Sequence, residues 1–327
     1  MAEVVLGFAS SHGPTIQTVP EEWDRIVERD KRDPRYSYDE LLRSASPTLA
    51  DEITLDRKRA RWEACHTAIG TLATIVEEAK PDVVVVVSNP HGILPDDTIP
   101  VFGVSRAASF PDRASVRPAP ASGDRPVRLS GPPAVQTSRA PRAPRDYPGY
   151  PPLAEHLIGS LIEEGFDIAN TMQVRPEHGL DEAFQTLYEH YQPEATTPMV
   201  PFIVSRYLPS QATPGRCYAL GGALRRSIES WKSDMRVALM ASGGLSHQIV
   251  DEELDHTVID ALVEQDFDTL RGLSRDRLNR APGTPEILNW IVVAAAMEPV
   301  GMTLVDYVPC YRSPAGTGHG VTFGYWR

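Results

Sequence analysis

Apolar positions along this chain follow two patterns that alternate. Short continuous runs bounded by turn residues occur at Val4-Val5-Leu6-Gly7-Phe8, at Val83-Val84-Val85-Val86-Val87, at Met199 to Val204 and at Arg236 to Met240. The run of five β-branched valines has no polar face, so it predicts a strand buried on both sides. Longer stretches repeat apolar residues every three or four positions, as a helix with one buried stripe does. Trp62, Ile69, Leu72 and Ile75/Val76 mark such a helix over 55–79, and Leu153, Leu157 and Leu161 mark another over 151–164. Pro81 stops the first, and Gly165 follows the second, where a positive φ costs little. Further helices are expected at 215–231, 251–271 and 285–298, with a helix or turn at 181–191. Strands are expected from Phe166 and near Met302 to Val308, and an edge strand in the tail from Gly316 to Trp326. Pro20 opens a short helix, and Tyr36, Tyr38 and Leu41 are placed to fold the 20–45 segment over a cleft.

This alternation favours an α/β fold: one domain over residues 1–327 with a central mixed β-sheet flanked by helices. One stretch departs from it. Residues 106–147 are rich in Pro, Arg, Ala and Ser with almost no apolar periodicity, and so long an unstructured connection is unusual within a compact domain. They read as an insertion, either a solvated loop or a cover whose arginines meet an acidic substrate.

Composition narrows the function classes. The formal net charge is −12, which disfavours nucleic acid or an anionic membrane as partner. No apolar run reaches the roughly 20 residues that span a bilayer. The N-terminus enters a strand at once, without a basic segment and long apolar stretch, so secretion is not indicated. The 3 cysteines, Cys65, Cys217 and Cys310, form no CxxC pair. They read as free thiols in a reducing cytoplasm, and a thiolate metal site is not expected.

Candidate chemistry sits in the turns. Four histidines lie in tight-turn contexts: Ser11-His12-Gly13-Pro14, Asn89-Pro90-His91-Gly92, Glu177-His178-Gly179 and Gly243-Gly244-Leu245-Ser246-His247-Gln248. His12 and His91 each follow a buried strand, where imidazole is exposed to a cleft and can bind metal or move a proton. A mononuclear iron site for oxygen chemistry wants two imidazoles and one carboxylate, with the opposite positions open. Glu286 would complete it, although the default explanation of a glutamate in a first helical turn is the helix dipole. His247 is either a general base or a hydrogen-bonded structural histidine, and His178 is similar. His66, His156, His190 and His256 fall within helices and read as solvated surface. His319, between two glycines, is ambiguous. No Walker loop, GxGxxG, GxSxG or HExxH is present.

Taken in order, five segments resemble one family. They are Ser-His-Gly-Pro at 11–14, the strand and histidine at 83–91, Glu-His-Gly at 177–179, Gly-Gly-Leu-Ser-His-Gln at 243–248, and Pro-Glu-Ile-Leu-Asn-Trp at 285–290. Together they are similar to the class III extradiol ring-cleavage dioxygenases, the group containing the catalytic subunit of protocatechuate 4,5-dioxygenase. The stretch from Ser11 through Trp23 is most similar to the single-chain gallate and 3-O-methylgallate dioxygenases. The resemblance covers most of the chain outside 106–147. It implies Fe(II) held by His12, His91 and Glu286, with His247 as catalytic base. His178 would be a second acid/base group or a substrate hydrogen-bond partner. It also implies a catecholic or gallate-like aromatic acid opened with O2. Two positions depart from the family: Pro90 stands before His91 where Asp is usual, and Glu177 stands before His178 where Asp is usual. A homodimer is the default assembly. The alternatives are a non-enzymatic binding protein on the same fold and a zinc-dependent hydrolase using the same ligands.

Overall fold

A computed structural model describes residues 1–91, 93–94, 98–112, 145–172 and 179–327. In chain order the strands are β1 (Glu3–Ser10), β2 (Val83–Ser88), β3 (Phe102–Ser105), β4 (Ser109–Pro111), β5 (Asp146–Pro148), β6 (Ile168–Thr171), β7 (Met199–Val204), β8 (Arg236–Ser242), β9 (His247–Ile249), β10 (Thr303–Tyr311) and β11 (Thr317–Trp326). Among the described residues, 9 of them form one mixed sheet in the order β10-β11-β1-β8-β2-β7-β3-β6, with β9 paired to β11. Strands β1, β8, β2 and β7 are mutually parallel. β11 runs antiparallel to both β1 and β10, and β3 antiparallel to β7.

The valine run explains why β2 lies at the centre. All of its side chains are buried. Val83, Val85 and Val87 face one core with Leu153, Leu157, Leu220 and Ile291. Val84 and Val86 face the other, with Leu6, Phe8, Leu72 and Val76. Alternation along a strand therefore feeds helices Pro151–Glu163, Pro214–Ser230 and Ile287–Met297 on one side and helix Leu55–Ala79 on the other. Each such side chain, fully buried, contributes roughly 1.5–3 kcal/mol before chain entropy is charged against it. Helix Ile287–Met297 is buried over its whole length, which fixes the short turn Thr284–Glu286 that precedes it and carries Glu286. Among the described residues no helix is long and apolar enough to cross a membrane. The three cysteines are free and buried.

Three expectations need correction. The helix expected over 251–271 is two helices, Glu252–Glu264 and Phe267–Gly272. Gln265 turns left-handed at φ 60, and the Asp266 side chain accepts from the Thr269 N–H to start the second. The tail strand β11 is not an edge strand. It lies between β10 and β1, and β10 is the edge. Its glycines permit this, because a Cβ at Gly318 would stand 2.4 Å from the Cys310 carbonyl oxygen. The flanks of the Pro/Arg-rich segment are ordered. β4 and β5 pair, burying Phe110 and Tyr147. Tyr147 stacks on Tyr188 at 4.5 Å, and Asp112 accepts from Tyr147 and Gln185. Residues 113–144 lie outside the described residues. Tyr36 and Tyr38 line a surface hollow with Lys31 and Leu42.

Candidate metal centre

Four parallel strands end on one side of the sheet, and each exit delivers a residue to the same place, as in the crevices of open α/β sheets. His12 follows β1, His91 follows β2, Arg206 follows β7, and the Gly243–His247 segment follows β8. Glu286 enters from the turn before the buried helix. Metal-capable atoms of His12, His91 and Glu286 lie within 4.8 Å of one another.

Hydrogen bonds set the imidazole tautomers. Ser242 Oγ donates its proton to the Ala183 carbonyl at 2.5 Å, so it accepts from His12 Nδ1 at 3.0 Å. Nε2 of His12 then carries the lone pair, 3.9 Å from Glu286 Oε2. His91 Nδ1 donates to the Asn89 carbonyl at 3.2 Å, and its Nε2 is 3.1 Å from Glu286 Oε1. This is how metal-binding imidazoles are usually held, with the far nitrogen pinned by an acceptor. His247 is pinned likewise, Nδ1 to the Leu245 carbonyl at 3.3 Å, with Nε2 3.4 Å from Glu286 Oε2.

Glu286 is fully buried. Oε2 accepts from the Gly244 N–H at 3.0 Å, whereas Oε1 has no hydrogen-bond partner. A buried carboxylate oxygen without a hydrogen bond is costly unless a cation serves it, and here the Arg206 guanidinium stands 3.2 Å away. Gly243 makes the fit close, since a Cβ there would stand 2.1 Å from Oε2. Trp290 and Asn289 fix the loop by donating to the carbonyls of Gly243 and Ser242. Two imidazoles and a buried carboxylate oxygen without a hydrogen bond make a donor set that fits a divalent metal.

The charges agree. Burial opposes ionisation of Glu286, but His247, Arg206 and His12 together hold its carboxyl well below the usual range. Burial pushes His12 down to about 4 and His319 well below its ordinary value, so both stay neutral. His91 is contested. Burial and Arg206 lower it, and Glu286 raises it with the larger net effect. Protonated at Nε2 it would donate to Glu286; unprotonated it accepts from Arg206 Nη2 at 3.2 Å. A metal at Nε2 needs the second form.

The structure therefore brings together His12, His91, Glu286 and His247. His178 lies outside the described residues. His319, ambiguous in the sequence, is buried opposite His247 across the β9–β11 ladder, rings 4.8 Å apart, with Nε2 donating to the Gly244 carbonyl at 3.2 Å. Arg206 is absent from the sequence reading, although it stands at a strand exit as His12 and His91 do. His66, His156 and His190 are half-buried rather than solvated, and His256 is exposed.

Gly283 borders His247. Its backbone is ordinary (φ −92), but a Cβ would stand 2.1 Å from His247 Cδ2. Gly283→Ala should displace that imidazole without touching the three metal-capable groups. We expect equimolar metal binding with turnover down roughly 10²-fold, since a misplacement of about 1 Å costs that much. Unchanged turnover would show that the position of His247 is immaterial.

Beneath His247 lies a second buried carboxyl. Asp255 accepts from the Ser246 N–H at 2.7 Å, Ser246 Oγ at 2.6 Å and Tyr307 OH at 2.9 Å. Burial pushes it from 3.8 up to about 7, against those hydrogen bonds. Between these values the folded protein holds a proton that the unfolded chain has released, so this stabilisation is present in acid and lost as pH rises through 7. Asp255→Asn stays neutral throughout. From pH 5 to pH 8 the wild type should lose about 2–3 kcal/mol relative to the variant in urea unfolding. Parallel profiles would refute this.

Comparison with known proteins places the chain. It belongs to the family described as the catalytic LigB subunit of aromatic ring-opening dioxygenase, whose profile matches residues 44–318. His91 and Glu286 fall inside that match and His12 precedes it. The chain is 28% identical over 177 residues to gallate dioxygenase of Pseudomonas putida KT2440, covering 47% of this chain and 48% of that one. It is 32% identical over 94 residues to 2,3-dihydroxyphenylpropionate/2,3-dihydroxicinnamic acid 1,2-dioxygenase of Photorhabdus laumondii, covering 29% and 28%. The matched region thus spans about half the length of the first relative and less of the second. A solved structure of Escherichia coli K12 protein JW3007 superposes with TM-score 0.49 at 16% identity, covering 78% of this chain and 91% of that one.

Proposed function

We propose that the protein is a non-haem Fe(II)-dependent extradiol dioxygenase that opens the ring of a catecholic or gallate-like aromatic acid with O2. On this reading residues 1–327 act as one catalytic domain in a cytoplasmic homodimer. The supporting observation is the His12–His91–Glu286 cluster, with both Nδ1 atoms held by acceptors, both Nε2 atoms turned toward the carboxylate and one carboxylate oxygen without a hydrogen bond. His12 and His91 through Nε2, and Glu286 through its carboxylate, would hold the ion. Bound Fe(II) would supply the redox coupling between O2 and the catechol, so no flavin or nicotinamide is called for.

The remaining steps belong to this chain. His247, with Nδ1 held by the Leu245 carbonyl and Nε2 beside the carboxylate, takes a proton from a substrate hydroxyl. His178 is assigned as the second acid/base group or a hydrogen bond to substrate. The buried Trp290 and the glycine loop keep water from the far side of Glu286.

The test is anaerobic reconstitution with Fe(II), followed by oxygen uptake with gallate, 3-O-methylgallate, protocatechuate and homoprotocatechuate. Uptake with at least one, stoichiometric with ring opening, is expected. Iron retention without uptake across the panel overturns the proposal, and equimolar zinc in the protein as isolated, with hydrolysis of an ester panel, would favour a hydrolase.

A further inference from the structure

Arg206 has no role in the chemistry above, yet its side chain is only 3% exposed at the centre of the site. Nη1 donates to the Pro282 carbonyl and lies 3.2 Å from Glu286 Oε1. Nη2 donates to Tyr207 OH at 3.2 Å and to the His91 lone pair at 3.2 Å. Nε is buried with no partner. The backbone is anchored independently: Gln211 Nε2 donates to the Arg206 carbonyl, Gln211 and Asn279 bond reciprocally, and Arg275 donates to the Gln211 carbonyl.

A buried guanidinium with an unserved N–H is expensive, and two of its present contacts cannot outlast metal binding. The ion needs the lone pair of His91 and the charge of Glu286. Arg206 would then hold several unpaired donors in a planar fork at the site, a shape that matches a carboxylate. Charge points the same way. In direct contact here are one anion, Glu286, and one cation, Arg206. A divalent ion raises the local sum to about +2. A catechol bound as its monoanion removes one of those charges; a ring carboxylate removes the other.

We propose that Arg206 is the specificity-determining residue that recognises the carboxylate of an anionic catechol. The inference rests on the reading of the centre as a catechol site.

The experiment compares protocatechuate with the uncharged 4-methylcatechol, using Fe(II)-loaded protein under strict anaerobiosis and calorimetric Kd. The wild type should favour protocatechuate. Arg206→Met should reduce that preference on the order of 100-fold, and Arg206→Lys, a point charge without the fork, roughly 10-fold. With O2 admitted, the change should fall on KM more than on kcat. If Arg206→Met fails to fold or to hold iron, the Arg206→Lys ratio decides. An unchanged ratio in the folded variants overturns the assignment. So does a wild type with no preference, whether it binds both catechols or neither. A wild type that binds protocatechuate selectively but consumes no O2 would instead sink the dioxygenase reading and leave the Arg206 comparison intact.

Discussion

Glu286→Ala should leave a protein that cannot retain a divalent metal through dialysis and is less stable than the wild-type apoprotein. The first effect follows from the donor set. Two neutral imidazoles remain, no anion faces the ion, and Arg206 stays beside them as an uncompensated cation. Metal affinity should fall well beyond the 10- to 100-fold typical of losing a supporting group. The second effect follows from burial. Removing one member of a buried ion pair strands the other, which costs about 3–5 kcal/mol, and the Gly244 N–H loses its acceptor. Metal analysis after dialysis and urea unfolding of the apoprotein check the two separately. Should the alanine variant not fold, Glu286→Gln keeps the volume and removes only the charge. Equimolar metal in either variant would remove Glu286 from the ligand set.

His247→Ala should behave in the opposite way, keeping metal and losing turnover. His247 Nε2 approaches Glu286, but its hydrogen bond to Leu245 orients it without help from the other imidazoles. With saturating Fe(II) the variant should stay equimolar in metal while kcat falls about 10²–10⁴-fold, the range for loss of a general base. Gly283→Ala gives a milder version of the same loss by pushing the ring aside. Full kcat in His247→Ala would exclude it as the base, and His319, packed against it, would be the next residue to examine.

Much of the scaffold was legible because it is local. A run of five valines can only be a strand with two apolar neighbours, and the turn that stops it must leave the sheet. His12 and His91 were therefore readable as cleft residues from a few positions each. The break at Gln265 was also local, signalled by Asp266 capping Thr269, and helical spacing obscured it. Glu286 was not readable in this way. Its position in a first turn is fully accounted for by the helix dipole, and only the ordered resemblance to a family marked it. Arg206 was not readable because its anionic partner, Glu286, is far away in sequence.

The sequence by itself determined the alternation of strand and helix, the two-sided burial of β2, the strand-end placement of His12 and His91 and a family that spans most of the chain. Tertiary structure decided what those pieces do to one another. Ser242 sets the tautomer of His12 across 230 positions. Arg206 and His91 share one hydrogen bond across 115. The tail strand passes between β10 and β1 so that His319 backs His247. The physical reason is range. Periodicity records which face of a segment avoids water, a property of neighbouring residues. Tautomer, charge balance and the surroundings of a buried carboxylate depend on atoms that meet only when distant strand ends converge.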